Sequence, residues 1–243
     1  MRYIFISPHL DDIPLSCGGI VNNLASTNHV VEIWTFFAGT PQNNELTPFA
    51  QSLHDRWKLP FNAPDIRRDE DMKACAILGA SVRYFDFPDC IYRFDQDGKP
   101  IIEKEEDLYQ DIPDSEQYLV NTFQEIIKRN TYSSDIIVSP MAIGNHVDHR
   151  IVLASILKLK PENLFFYEDY PYVSQLEHNN SDINQLIPWQ FNLSQMDIEN
   201  WHKSISEYQS QISTFWQNTE RMKQEIINFA NQGGGQCLWE RKK

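Results

Sequence analysis

Cationic residues are scarce in this sequence: 21 Lys and Arg stand against 34 Asp and Glu, a formal net charge of −13. That balance argues against nucleic-acid binding, in which clustered cations displace the counterions of phosphates, and against an anionic membrane surface. Cysteine is also sparse. Cys17, Cys75, Cys90 and Cys237 lie far apart with no C-x-x-C pair, which excludes a zinc ribbon, a dithiol redox motif and a disulfide-stapled scaffold. Long apolar runs are missing. Nothing approaches the roughly 18 residues of a membrane span, and the apolar stretch after Arg2 ends at Ser7-Pro8, too soon for a signal peptide. A soluble cytoplasmic protein with neither nucleic-acid nor membrane partners is the expectation.

Core-forming residues are plentiful, with 41% hydrophobic and 12% aromatic. They alternate between short β-rich runs and helical periods. Strands are predicted at Tyr3 to Ser7, Val30 to Phe37, Val82 to Phe87, Asp135 to Ser139 and Leu164 to Glu168. Helices are predicted from Pro14 to Leu24, from Arg67 to Leu78 before Gly79, around Leu119 to Ile127, and from His146 to Leu159. The alternation predicts an α/β fold, a Rossmann-like three-layer αβα arrangement around a mainly parallel sheet, in one domain spanning 1–243. Segments 46–64 and 89–116 read as long insertions at the carboxyl edge of that sheet. A later stripe of Ile205, Tyr208, Ile212 and Phe215 reads as packing.

In the commonest winding of such a sheet the first and fourth strands are neighbours, and ligands bind beyond their carboxyl ends. Two clusters stand at those ends: Ser7-Pro8-His9-Leu10-Asp11-Asp12, and Gly144-Asn145-His146-Val147-Asp148-His149. Imidazoles and carboxylates together suit a divalent metal, and three protein ligands with an open position describe a catalytic zinc site. Read singly, either cluster is also a plausible helix start, with Asp12 or Asn145 as the cap. Gly18-Gly19 lacks the G-x-G-x-x-G fingerprint of a dinucleotide loop. His29, His54, His178 and His202 have no partner spacing and read as surface residues.

At these clusters the sequence resembles the LmbE-like, PIG-L family of zinc-dependent N-acetylglucosaminyl de-N-acetylases. The likeness continues through Leu15-Ser16-Cys17-Gly18-Gly19, Arg67-Arg68-Asp69-Glu70-Asp71, Leu78-Gly79-Ala80, Phe87-Pro88-Asp89, Ile91-Tyr92-Arg93 and Phe166-Tyr167-Glu168-Asp169. The resemblance implies zinc ligands at His9, Asp12 and His149, with Asp11 as general base. It implies that His146 polarises the carbonyl or protonates the amine, and that Asp148 hydrogen-bonds His146 to fix its tautomer. Arg68, Asp89 and Glu168 are the candidate contacts to a small amino-sugar substrate. Leu10 stands where Pro is commoner in the family and Ile13 where an acid is commoner, which removes a partner for the metal ligands. The stretch Phe36 to Thr40 lacks an acidic cluster that some members use on the sugar. Phosphoester cleavage on the same ligands, or noncatalytic binding of metal or sugar, are the rival readings. Oligomeric state is left open.

Overall fold

The computed structural model describes residues 1–41, 46–175 and 186–241. Its seven-stranded sheet has the order β3-β2-β1-β4-β5-β7-β6. In the middle, β1 (Arg2–Ser7) pairs in parallel with β2 (Val30–Thr35) on one side and β4 (Ile136–Pro140) on the other. Chain winding therefore reverses between β1 and β4, as expected. Parallel neighbours β3 (Ser81–Tyr84) and β5 (Leu164–Tyr167) extend the sheet outward. Beyond β5 come two strands absent from the sequence reading, β6 (Leu186–Gln190) at the edge and β7 (Cys237–Arg241), which runs antiparallel to both its neighbours.

Both faces of β1 are buried, because alternate side chains enter different cores. Ile4 and Ile6 join Phe123 and Ile127 of α4 (Gln117–Asn130) and Ile151 and Ile156 of α5 (Val147–Leu159). Tyr3 and Phe5 join Ile20 and Leu24 of α1 (Asp12–Ser26) and Leu78 of α3 (Ala63–Leu78). Ile13 is fully buried in that second core, so an apolar residue there serves packing. Helix α6 (Gln195–Ile205) lies across α1, and the close approach runs through glycine. A Cβ on Gly18 or Gly19 would stand 2.6 Å from Trp201 or Leu193 respectively. Those glycines thus serve helix packing.

Segment 46–64, read as an insertion, contains α2 (Pro48–Trp57), started by Pro48 and capped by Thr47, whose hydroxyl accepts from the Ala50 N–H. The apolar stripe near the C-terminus spans two helices rather than one. Ile205 ends α6, Tyr208 precedes α7 (Gln209–Phe215), and α8 (Thr219–Asn231) follows. Ile205, Tyr208 and Ile212 are buried, whereas Phe215 is 36% exposed. His54 and His202, expected at the surface, are buried. His54 Nδ1 donates to the Pro60 carbonyl (3.1 Å), so its Nε2 accepts the Tyr92 hydroxyl at 2.6 Å. His178 lies outside the described residues.

Candidate metal centre and active site

The chain leaves β1 through a tight turn whose geometry separates two adjacent carboxylates. Asp11 has φ 112° and ψ −30°, a left-handed conformation that residues with side chains rarely adopt. Asp12 folds back so that its carboxylate accepts the His9 backbone N–H at 2.7 Å. Asp11 faces Arg67 instead, 3.4 Å from its guanidinium, which also donates to the Leu10 carbonyl at 3.1 Å. Across the β1/β4 crevice, Ala142, Gly144 and Asn145 all take positive φ before α5 begins. His146 caps that helix, accepting the Asp148 N–H at Nδ1 (3.3 Å).

Each proposed histidine ligand has one ring nitrogen on an outer carboxylate and the other facing Asp12. His9 Nε2 is 3.0 Å from Asp148, and its Nδ1 is 3.6 Å from Asp12. His149 Nδ1 is 2.7 Å from Asp169, and its Nε2 is 3.4 Å from the other Asp12 oxygen. Carboxylate behind histidine is the arrangement that fixes tautomer and raises basicity in metal sites. Electrostatics agree. Burial works against a charged His149, yet Asp12 and Asp169 push its pKa well above the ordinary value. Asp12 is held below the usual carboxylate range despite burial, because His149 and His9 stand beside it. The point between them favours positive charge, and the donor set of two imidazoles and one carboxylate fits zinc.

Two further groups adjoin this set with different tasks. Burial pushes Asp11 up to about 7 against the opposing pull of Arg67. Burial, with His9 nearby, pushes His146 down to about 3 and keeps it neutral. Since Nδ1 of His146 accepts from a backbone N–H, its proton resides on Nε2. The group of Asp148 that meets His146 is its backbone N–H. Its carboxylate, expected on His146, is drawn instead to His9, to the Cys90 N–H (3.0 Å) and to Arg93 (2.6 Å). Arg93 is itself buried and forked onto Glu116 at 2.6 and 2.7 Å.

The site floors a cavity of about 630 Å³. Asp89 lines it, 3.7 Å from His9 Nε2. Arg68 and Glu168 are not on its wall. One step along α3 turns the side chain about 100°, so Arg67 faces the cavity while Arg68 bonds Ala38, Asp65 and Thr40. Likewise Glu168 is half-buried at the end of β5, and it is Asp169, 1% exposed, that reaches His149. Arg67, Arg93 and Asp169 all lie in stretches that carried the family resemblance, but nothing in their spacing separated them from their neighbours. Glu116 gave no signal.

A buried His₂Asp donor set, flanked by a carboxylate and a neutral imidazole at the carboxyl edge of a Rossmann-like sheet, defines a metal-dependent hydrolase. The family model "PIG-L: GlcNAc-PI de-N-acetylase" matches residues 4–160, and the chain belongs to that family. The 2′-N-acetylparomamine deacetylase of Niallia circulans is 31% identical over 196 residues, covering 73% of this chain and 69% of the relative. The zinc-inhibited form of teicoplanin deacetylase aligns over 100% of this chain and 99% of its own, with a TM-score of 0.82 and 26% identity. A deacetylase–teicoplanin complex aligns equally far, with a TM-score of 0.80 and 27% identity. The chain is thus an N-deacetylase, a hydrolase of amide bonds.

Proposed function

We propose that this protein removes the N-acetyl group of an amino sugar attached to a larger scaffold with apolar surface, using zinc held by His9, Asp12 and His149. The observation that carries this reading is the pairing of His9 and His149 with outer carboxylates around Asp12, beside a base that is not itself a ligand. Zinc, when bound, supplies a Lewis acid and makes water acidic enough to attack an amide at neutral pH. Asp11 takes the proton of that water as the new C–O bond forms. His146 donates its Nε2–H to the carbonyl oxygen, where negative charge develops. Asp11 then returns the proton to the nitrogen as the C–N bond breaks, leaving a free amine and acetic acid, which ionises to acetate. Arg67 holds Asp11 in place, and Asp89 is placed to accept a sugar hydroxyl.

The scaffold is inferred from the cavity. Its volume exceeds what one acetylated sugar fills, and its outer wall carries Phe49, Trp57, Tyr109 and Phe215. The last belongs to α7, so residues 1–243 act as one unit in this reading. A dissolved glycoside in the cytoplasm suits four free cysteines and a chain in which no described helix is long and apolar enough to cross a membrane.

The test is zinc content, paired with amine release from free N-acetylglucosamine and from its 4-nitrophenyl and octyl glycosides. One zinc per chain is expected, with kcat/KM about 10-fold higher for the two glycosides, the equivalent of about 1.4 kcal/mol of apolar burial. Phe215→Ala should erase most of that preference and spare turnover of the free sugar. Zinc without amine release from any of the three would refute the reading.

A further inference from the structure

Helix α7 has seven residues, too few to hold a helix in water without neighbours. Its place must come from what it touches. Gln211, Thr214 and Phe215 stand at i, i+3 and i+4, so one face of α7 lines the cavity. Beside it packs α2, whose Phe49, Leu53 and Trp57 line the same cavity from a face of their own. The shape of this outer wall therefore depends on where α7 sits, and α7 lies beyond the residues matched by the family model.

The start of α7 is tied to α3. Tyr208, 1% exposed, donates its hydroxyl to Asp71 Oδ1 at 2.6 Å, across 137 positions of sequence. Tyr84 of β3 donates to Oδ2 at 2.8 Å. Ser210 bonds the neighbouring acid: its N–H meets Glu70 at 2.9 Å, and its hydroxyl donates to Glu70 at 2.5 Å. The same hydroxyl accepts from Gln211 Nε2 at 3.1 Å, which carries the contact to a side chain on the cavity wall. Asp71 is 1% exposed, and its carboxylate is met by neutral donors, the two phenols and the Cys75 thiol at 3.7 Å. A carboxylate buried in this way is costly, and those bonds are what offset it. Glu70 and Asp71 follow Arg67 by three and four positions, one helical turn, and Arg67 meets Asp11 at the site. One helix thus references α7 to the catalytic end of the sheet.

We propose that Tyr208 and Ser210, held by Asp71 and Glu70, are positioning residues for substrate selection: they fix α7, and α7 presents Gln211 and Phe215 to the part of the substrate beyond the acetylated sugar. The inference rests on the reading that this wall takes an apolar scaffold. Neither Tyr208 nor Ser210 lines the cavity, so their effect passes through α7. The latch bears on KM for scaffold-bearing substrates and leaves the chemical step alone.

The test uses the full-length, zinc-loaded chain with Tyr208→Phe, Ser210→Ala and, for comparison, Phe215→Ala. Amide hydrogen exchange is read by NMR at Ile212 and Trp216, whose N–H groups bond the Tyr208 and Ile212 carbonyls, against Phe5 in β1. Loss of one hydrogen bond to a charged group should speed exchange at both about 10-fold in each latch variant, with Phe5 unchanged. kcat and KM are measured on free N-acetylglucosamine and on its octyl glycoside. Each latch variant should raise KM for the octyl glycoside about 3- to 10-fold, as Phe215→Ala does, with kcat and turnover of the free sugar unchanged. Ile212 and Trp216 amides that exchange as in the wild type overturn the proposal, because α7 then stays in place without the latch. So does a freed α7 with an unchanged KM for the octyl glycoside, or a kcat lost equally on both substrates. If Ser210→Ala does not fold, Tyr208→Phe decides alone. Phe215→Ala with wild-type kinetics on both substrates would condemn the scaffold reading and the selection role with it, while the exchange data would still decide whether the latch holds α7.

Discussion

Four buried aspartates meet in this site, and burial alone does not distinguish them; their partners do. Asp12 lies between two imidazoles and stays ionised, as the proposed ligand role requires. Asp148 and Asp169 stand behind those imidazoles, and each also takes a backbone N–H, from Cys90 and Ile143 respectively. Asp11 has no imidazole hydrogen bond among the described residues, which leaves its carboxylate available for a proton. Substitution should separate these roles. Asp169→Asn keeps the volume but weakens the charge behind His149, and zinc affinity should fall about 10- to 100-fold in a chelator competition. Asp11→Asn should bind zinc as the wild type does and lose about 10²- to 10⁴-fold in kcat. If Asp11→Asn instead lost its zinc, Asp11 would be a ligand and the base would lie elsewhere.

At the scale of elements, the parallel half of the sheet was legible because its strands are short apolar runs and its helices keep a 3.6-residue period. The neighbouring positions of β1 and β4 followed from winding alone, and with them the meeting of His9 and Asp12 with His146 and His149. Arg67 and Arg68 could not be told apart, because two adjacent arginines do not reveal the rotational phase of a helix. Glu116 was invisible, since its pairing with Arg93 spans a loop without period. Strand β6 carries Pro188, which speaks against a strand except at a sheet edge, where it lies. Gly18-Gly19 was visible as a motif but its use was not: the partner that needs the space, Trp201, is far away in sequence. Trp201 also donates its indole N–H to the Pro14 carbonyl at 2.6 Å, so α6 has little room to retreat. Gly18→Ala gains about 1 kcal/mol of helix propensity and overpacks a contact that costs about 1–3 kcal/mol to relieve. The urea midpoint should therefore fall with an unchanged m-value; a rise would mean that α6 moves aside freely.

For the whole molecule, buried histidines outside the candidate metal centre contribute to how stability responds to acid. His54 is packed under Tyr92, between α2 and the turn after β3, and His202 lies within α6; burial lowers the pKa of both. His54 already uses both ring nitrogens, donating to Pro60 and accepting from Tyr92, so a second proton would displace the tyrosine hydroxyl. Folded pKa values depressed below the unfolded value of about 6.5 mean that the unfolded chain binds protons first as pH falls. The stability tied to neutral His54 and His202 is complete above that value and is lost progressively below it, down to their folded pKa. Asp11 and His149, whose folded pKa values are raised, act in the opposite sense over the same fall in pH, so the share of His54 is read in metal-free protein as a difference between two proteins melted at pH 7 and at pH 5. His54→Gln, which retains one donor and one acceptor, should lose less Tm, or gain more, from pH 7 to pH 5 than the wild type, whatever its absolute Tm. An equal change in the two proteins would place the acid sensitivity with His202 or His146, whose pKa values are also lowered, and remove His54 from the account.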